Sequence, residues 1–488
     1  MSYIIKFGTD GWRAVIADGF TFRNVMRVTQ AACDIIRKHS KNRLILIGYD
    51  RRFFSERFAE TAAQVAVSNG FQVEVSDAPI GSPTLALHVM EKKAAMGFMI
   101  TASHNPAQFN GFKMKGPQGG SVDETFTKSV EDRIDIGDIR MGDVRFKRKD
   151  FTSSHLAFLK KHAHGVKWRN LKYPIVFDSM HGPGGALFEK VFPRSDKFRF
   201  IRHETDPLFG GVNPEPIEVN LAALREAILA SKAGVGIAVD GDADRIGIMD
   251  EKGRFLPPHT AMPLLLLHLI ESRKMTGKVI QTVSMGYLPG RIARHFNLPF
   301  EEVSVGFKHI ALKMHSEKVL LGGEESGGYG VGVWFPERDG LLCALLIIEM
   351  LAEKKVPLSQ LVEEMTKRFG ASHFKRVDFK LAAPVDKGPW TENLLTHLGG
   401  SLAGQPIKEI RKMDGLKIIL QDDSWVLMRP SGTEPLIRTY AEGATSQTMN
   451  DLIQESDRLV HLPPPNPKRK KDDGKKKKKD MKPRAGKR

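Results

Sequence analysis

At 488 residues, with 41% hydrophobic side chains and 45 glycines, the chain is too long for one hydrophobic core, since single cores stop growing near roughly 250–300 residues. Its two cysteines, Cys33 and Cys343, stand far apart inside apolar helical patterns, which excludes a disulfide framework or a cysteine metal site and leaves buried free thiols as the expectation. No apolar run, that from Met262 to Ile270 included, is long enough to cross ~30 Å of hydrocarbon, and the N-terminus lacks a signal-like stretch. No membrane span and a cytoplasmic location are therefore expected.

The formal charge of +17 is unevenly placed: residues 461–488 carry 13 Lys or Arg against 3 Asp, so +10 sits in the tail and only +7 on the remaining 460 residues. The tail opens on Pro463-Pro464-Pro465, contains Lys475 to Lys479, and lacks the apolar side chains that could offset the entropy of ordering. A disordered segment is expected over 461–488. Such a block binds nucleic acid or acidic surfaces weakly or remains a solvated extension, the commoner outcome for a charge run.

In chain order, the pattern from residue 1 to about 150 alternates apolar strands with amphipathic helices: strand Leu44 to Tyr49, helix Arg57 to Gly70, strand Gln72 to Val75, strand Ala94 to Ile100. This is the pattern of an α/β domain. A second cycle runs from Tyr173 through the strand at Pro174 to Asp178 and the helix Leu221 to Lys232 to the apolar strand Val235 to Val239. A third follows Pro257-Pro258, with helix 260–274, strands 278–283 and 318–321, and a helix from about 340 to 353. Beyond about 370 the texture becomes that of an α+β domain. Strands are expected at Phe374 to Leu381, Leu416 to Leu420, Trp425 to Met428 and Leu436 to Ala441, then a helix carrying Met449, Leu452, Ile453 and Leu459 on one face behind an N-cap at Thr445 or Ser446.

Four loops stand out. Thr101-Ala102-Ser103-His104-Asn105-Pro106 follows a buried strand and precedes Asn110-Gly111-Phe112-Lys113; a hydroxyl at a strand end can act as nucleophile or phosphoryl carrier, although most such serines only cap turns. Asp240-Gly241-Asp242-Ala243-Asp244-Arg245 also ends an apolar strand. Three alternate carboxylates repel unless a cation neutralises them, and oxygen donors select magnesium or calcium. An EF-hand is excluded because Arg245 stands where its glycine belongs and strands flank the loop where helices are needed. Gly322-Gly323-Glu324-Glu325-Ser326-Gly327-Gly328 combines glycines that let a backbone approach a ligand with Glu324 and Ser326 as acceptors for vicinal hydroxyls, though a plain glycine turn explains it about as well. Arg429-Pro430-Ser431-Gly432-Thr433-Glu434-Pro435, with Arg438 beyond, offers guanidinium forks and free N–H groups for a phosphate, or else a structural turn.

Taken together in this order, the four loops resemble the α-D-phosphohexomutase family of phosphoglucomutases, phosphomannomutases and phosphoglucosamine mutases. Phe7-Gly8-Thr9-Asp10-Gly11-Trp12-Arg13 is similar to the family's N-terminal signature, and Gly306-Phe307-Lys308-His309-Ile310 to its third-domain lysine motif. The resemblance spans residues 3–460. It implies three related α/β domains with mixed sheets (1–150, 151–256 and 257–369) and an α+β domain of the TATA-box-binding-protein-like type (370–460), heart-shaped around one cleft.

It further implies that Ser103 carries phosphate while Asp240, Asp242 and Asp244, with Ser103, hold Mg2+. Arg13, Lys113, Lys308, His104 and Arg245 would line the reacting centre. Glu324 and Ser326 would bind the sugar, and Arg429, Ser431, Gly432, Thr433 and Arg438 the phosphate that is not reacting. The activity implied is interconversion of hexose 1-phosphate and hexose 6-phosphate through a hexose (glucose) 1,6-bisphosphate that also serves as activator.

Lys113 is the expected proton-transfer partner, its basicity lowered by neighbouring cations, with His104 second. Glu324-Glu325-Ser326 resembles the phosphoglucomutase version of the sugar loop, so glucose is favoured, with phosphomannomutase or phosphoglucosamine mutase as alternatives. Gly328 departs from the histidine common in dual-specificity members. An inactive mutase-derived protein that binds through its basic tail is the alternative of a different class.

Overall fold

The computed structural model describes residues 3–332, 335–431 and 434–462; Gly432, Thr433 and the tail beyond residue 462 lie outside the described residues. The chain divides after Ser372 into two compact units.

The first unit contains three sheets. Strands β1 (Trp12–Val15), β2 (Leu44–Tyr49), β3 (Gln72–Ser76), β4 (Met96–Ile100), β5 (Phe109–Lys115) and β6 (Lys147–Lys149) are ordered β1-β5-β4-β2-β3-β6. Strands β7 (Ile175–Asp178), β8 (Phe198–Ile201), β9 (Val235–Val239), β10 (Ile246–Asp250) and β11 (Phe255–Leu256) are ordered β11-β10-β9-β7-β8. Strands β12 (Lys278–Thr282), β13 (Phe300–Val303), β14 (Val319–Gly323) and β15 (Tyr329–Val331) are ordered β13-β12-β14-β15.

The three sheets share one construction. Parallel strands fill the interior, and one of them turns back into an antiparallel neighbour: β4 into β5, β9 into β10, β14 into β15. The loops at those turns span 101–108, 240–245 and 324–328. Three of the four chemistry-bearing loops thus occupy the same topological position, the carboxyl end of a parallel strand, where open α/β sheets place their ligand sites.

Sequence explains why these strands are internal. Every residue of β4 and of β9 is buried, as expected of parallel strands covered on both faces. At Gly236 an added Cβ would lie 2.4 Å from Ile228 Cδ1, so glycine lets the helix Ala222–Ser231 close onto β9. The helix Gly340–Lys354 is buried on nearly every side, and Asp339 caps it by accepting from the N–H groups of Leu341 and Leu342. Its leucines share one core with Phe177 and Ile237 of the second sheet and Leu321 of the third.

In the second unit β16 (His373–Lys380), β17 (Ser401–Leu402), β18 (Gln405–Arg411), β19 (Leu416–Leu420), β20 (Trp425–Pro430) and β21 (Leu436–Gly443) form an antiparallel sheet ordered β16-β21-β20-β19-β18-β17. The helices Lys387–His397 and Ser446–Val460 accompany it, and Thr445 caps the second by accepting from Thr448 N–H at 3.1 Å. Cys33 and Cys343 are free and buried. Among the described residues no helix is long and apolar enough to cross a membrane.

Leu345 is fully buried in the core shared by two sheets. Leu345→Ala is expected to cost about 2–5 kcal/mol, read as a lower urea midpoint in far-UV circular dichroism.

Candidate active site

Ser103 adopts φ +53°, a left-handed conformation that non-glycine residues rarely take. Its N–H donates to Thr101 Oγ1 at 2.9 Å. Its Oγ donates to Asp240 Oδ2 at 2.7 Å and lies 3.3 Å from His104 Nδ1. Asp240, Asp242 and Asp244 are buried, with ligand oxygens within 4.8 Å of one another. The N–H groups of Asp244 and Arg245 fix the other Asp240 oxygen, and Ser82 donates to Asp242. The Ser103 loop and the carboxylate loop are therefore assembled against each other.

Charge is shared unevenly in this cluster. Burial, and then Asp242 and Asp244, push the Asp240 carboxyl well above its ordinary range. Asp242 is held low despite burial, because Lys113 Nζ lies 2.8 Å away. Lys113 also meets Asp10 at 2.8 Å and Asp244 at 3.2 Å. Arg338 meets Asp10 at 2.8 Å, Asp244 at 2.7 Å and Glu324 at 3.3 Å, so one guanidinium joins the segment before β1 to the carboxylate and glycine loops. Burial would raise the Asp10 carboxyl, yet Lys113, Lys115 and Arg338 together hold it well below the carboxylate range.

These contacts correct the expected state of Lys113. Burial alone would lower its basicity, but Asp10, Asp242 and Asp244 outweigh burial and raise its pKa; the neighbours that matter are anions, not cations. His104 shifts the other way, well below its ordinary value, through burial and then Arg245, Arg13 and Lys113. A neutral imidazole therefore adjoins Ser103.

Arg13 reaches the same loop, donating to Asn105 Oδ1 at 2.6 Å. Arg245 lies at the rim of the triad, with Nε 3.9 Å from Asp244 Oδ1. Lys308 is buried and donates to Glu124; it lines a small cavity with Thr9, Asp10 and Gly11 rather than pairing with the triad.

The glycine loop is also corrected in part. Its glycines accommodate the protein itself: a Cβ at Gly327, φ +83°, would meet Ile246 O at 2.6 Å, and one at Gly328 would meet Arg338 Cδ at 2.4 Å. The Arg338 side chain fills the space beside Gly328. Glu325 is occupied by Ser284 and Thr282, whereas Ser326 is partly exposed and Glu324 is buried with Arg338.

In the second unit Arg429 and Arg438 stand directly opposite each other on β20 and β21. Like charges so placed repel, and here they are tempered by Asp414, 2.8 Å from Arg429, and by Glu434, 3.3 Å from Arg438. Glu434 N–H donates to Ser431 Oγ at 3.2 Å. A pair of facing guanidiniums beside a hydroxyl is a natural anion site.

Asp10 and Arg338 escaped sequence reasoning as site residues. Asp10 lies inside the quoted N-terminal signature, so a signal was present; Arg338 sits in Pro336-Glu337-Arg338-Asp339-Gly340, whose only visible feature is a helix cap.

Hard oxygen ligands, a strained strand-end serine and a ring of lysine and arginine are the equipment of phosphoryl transfer, which depends on positioning and charge stabilisation. Comparison with known proteins agrees. Family models described as phosphoglucomutase/phosphomannomutase alpha/beta/alpha domains I, II and III and C-terminal domain match residues 5–140, 153–253, 257–369 and 391–459. The phosphoglucosamine/phosphogalactosamine mutase of Sulfurisphaera tokodaii is 30% identical over 465 residues, covering 93% of this chain and 98% of that protein. The phosphoglucomutase/phosphomannomutase of Thermococcus kodakarensis is 27% identical over 467 residues, with coverages of 93% and 98%.

The crystal structure of a putative phosphomannomutase from Thermus thermophilus superposes with a TM-score of 0.83 at 29% identity, covering 95% of this chain and 100% of that one. The chain belongs to the phosphoglucomutase/phosphomannomutase family of α-D-phosphohexomutases. It is a phosphohexomutase, an enzyme that transfers phosphoryl groups within hexose phosphates.

Burial, opposed by Arg338, raises the Glu324 carboxyl from 4.5 to about 7. Between those values the folded protein retains a proton that the unfolded chain has released, so this group's contribution to stability falls as pH rises. Glu324→Gln should remove that decline, seen as a flatter urea-unfolding free energy from pH 4.5 to 7 than in the wild type; parallel profiles would refute it.

Proposed function

We propose that Ser103 is the phosphoryl carrier in an interconversion of glucose 1-phosphate and glucose 6-phosphate, with Mg2+ and glucose 1,6-bisphosphate as cofactors. One observation carries this reading: Ser103 Oγ, held in a left-handed turn, lies 2.7 Å from a carboxylate of a buried three-aspartate cluster. The donor set suits a hard cation, being all oxygen, with Asp242 Oδ1 and Asp244 Oδ1 lacking hydrogen-bond partners. Ser103, Asp240, Asp242 and Asp244 would hold Mg2+, whose contribution when bound is to neutralise phosphoryl charge.

The rest follows from the chain's own groups. The bond from Ser103 Oγ to phosphorus breaks as one forms to the free hydroxyl of the sugar monophosphate, whose proton passes by way of a base to Ser103 Oγ; the products are a neutral serine and a hexose 1,6-bisphosphate. Ser103 Oγ then gives up its proton as it takes the other phosphate, and that proton goes to the sugar oxygen released. His104 is read as that base, a reading supported by its Nδ1 lying 3.3 Å from Ser103 Oγ and by burial and neighbouring cations holding it well below its ordinary pKa. Lys113, its proton held by carboxylates, serves as fixed positive charge together with Arg13, Arg245 and Lys308.

Glu324 and Ser326 accept sugar hydroxyls. Arg429, Ser431 and Arg438 bind the phosphate at rest, a role supported by the facing arginines; Gly432 and Thr433 join this set on their place in the motif. The domain limits 1–150, 151–256, 257–369 and 370–460 are retained in this proposal, each holding one loop.

Glucose rests on Glu324-Glu325-Ser326, which is similar to the phosphoglucomutase loop. A second reading, glucosamine, is favoured by the names of relatives such as the Sulfurisphaera tokodaii enzyme. Initial rates with glucose, mannose and glucosamine 1-phosphates, each with trace bisphosphate, decide: the glucose reading expects the highest kcat/KM for glucose 1-phosphate, and a higher value for glucosamine 1-phosphate replaces it.

Incubation with glucose 1,6-bisphosphate should add about 80 Da to the peptide bearing Ser103, the mass of one phosphoryl group. Ser103→Ala should lose both this increment and turnover, and EDTA should abolish turnover until Mg2+ is restored; undiminished isomerisation by Ser103→Ala would end the proposal.

A further inference from the structure

Arg52 lies just beyond β2, 3% exposed, and does not belong to any of the four loops. Its guanidinium is nevertheless committed to one of them. Nη2 donates to the carbonyls of Ser103 and Asn105, both at 2.6 Å, and Nη1 to those of Pro106 at 2.9 Å and Phe109 at 3.0 Å. Three carbonyls of the segment joining β4 to β5, including that of Ser103 itself, and a fourth from the first residue of β5 converge on this one side chain.

Asp50 completes the arrangement. Its carboxylate lies 3.3 Å from Arg52 Nε. It accepts from Arg52 N–H at 3.0 Å, Ser55 Oγ at 2.7 Å and Thr101 Oγ1 at 2.6 Å. Thr101 Oγ1 in turn receives the N–H of Ser103 at 2.9 Å. Both main-chain polar groups of Ser103 are thus held, the N–H through Thr101 and Asp50 and the carbonyl by Arg52. The guanidinium also lies over the ring of Phe209, 4.8 Å from its centroid.

We infer that Arg52 is a positioning residue for the phosphoryl carrier: its planar fork holds the Ser103 turn in its left-handed conformation throughout the catalytic cycle. The inference rests on Ser103 being the carrier. The demand for such a hold is specific to that role, because the side chain alternates between a neutral hydroxyl and a phosphate dianion while its oxygen must stay in line for transfer. Side-chain contacts to Ser103 must change with that charge, whereas contacts to its main chain need not. The hydrogen bonds of Arg52 to the loop go to main-chain carbonyls. A guanidinium also suits the task better than an ammonium, since its fixed donors reach several carbonyls at once.

Arg52→Ala is expected to lower kcat on the order of a hundredfold, the scale of an ångström's misplacement at a reacting centre, with KM for the phosphosugar changed less than threefold. Guanidinium chloride at low millimolar concentration should restore at least tenfold of the lost kcat without affecting the wild type. Arg52→Lys, which keeps the charge, should stay at least tenfold impaired and serves as the arbiter if the alanine variant does not fold.

Phosphorylation of Ser103 by glucose 1,6-bisphosphate, followed by intact mass, should be slowed in both variants but reach the same final increment. Kinetics of Arg52→Lys within threefold of the wild type, or a folded Arg52→Ala whose loss guanidinium does not relieve, would overturn the inference. Absence of the increment in the wild-type protein would instead overturn the assignment of Ser103 as carrier.

Discussion

Three carboxylates in one buried turn are the constraint on which the first unit depends. Asp240, Asp242 and Asp244 cannot share a site without compensating charge, and the protein brings that charge from elsewhere: Lys113 from the first sheet and Arg338 from the segment after the third. These same cations hold Asp10 and Glu324. Electrostatic compensation at the triad therefore draws loops from three sheets together, and the geometry of the site is a consequence of balancing that charge.

The repeated sheet construction supplies the scaffold for this convergence. Each of the first three sheets ends a buried parallel strand in a turn to an antiparallel neighbour, so each delivers one loop of polar residues at a strand's carboxyl end. The chemistry then differs by loop content: a hydroxyl in the first, carboxylates in the second, a carboxylate and hydroxyl beside glycines in the third. In the second unit an antiparallel hairpin does the equivalent work, placing Arg429 opposite Arg438.

Several elements were legible from local pattern because that pattern has a direct physical cause. β9 was expected at Val235 to Val239 and spans those residues, since a strand buried on both faces reads as an unbroken apolar run. The last helix begins behind Thr445, where a hydroxyl can take the first free N–H. The helices Ser82–Glu91, Leu288–His295 and Phe307–Ser316 were not legible: they are short, two have proline in the first turn, and they lie beside loops whose polar residues break the period. The order of strands within each sheet was likewise beyond local pattern, because it is set by pairing between distant segments.

By itself the sequence determined which chemistry was possible: a hydroxyl, three alternate carboxylates, a carboxylate and hydroxyl among glycines and an arginine-rich turn, each at the end of a strand, because residue type and strand period are local properties. Only the tertiary structure decided how those groups are charged and held. Lys113 is surrounded by anions and His104 by cations, the reverse of the roles expected along the chain, since ionisation depends on what lies within a few ångströms rather than on what is adjacent in sequence. Arg52 and Arg338 entered the site for the same reason: long side chains from remote segments were the groups able to satisfy buried carbonyls and carboxylates that had lost their water.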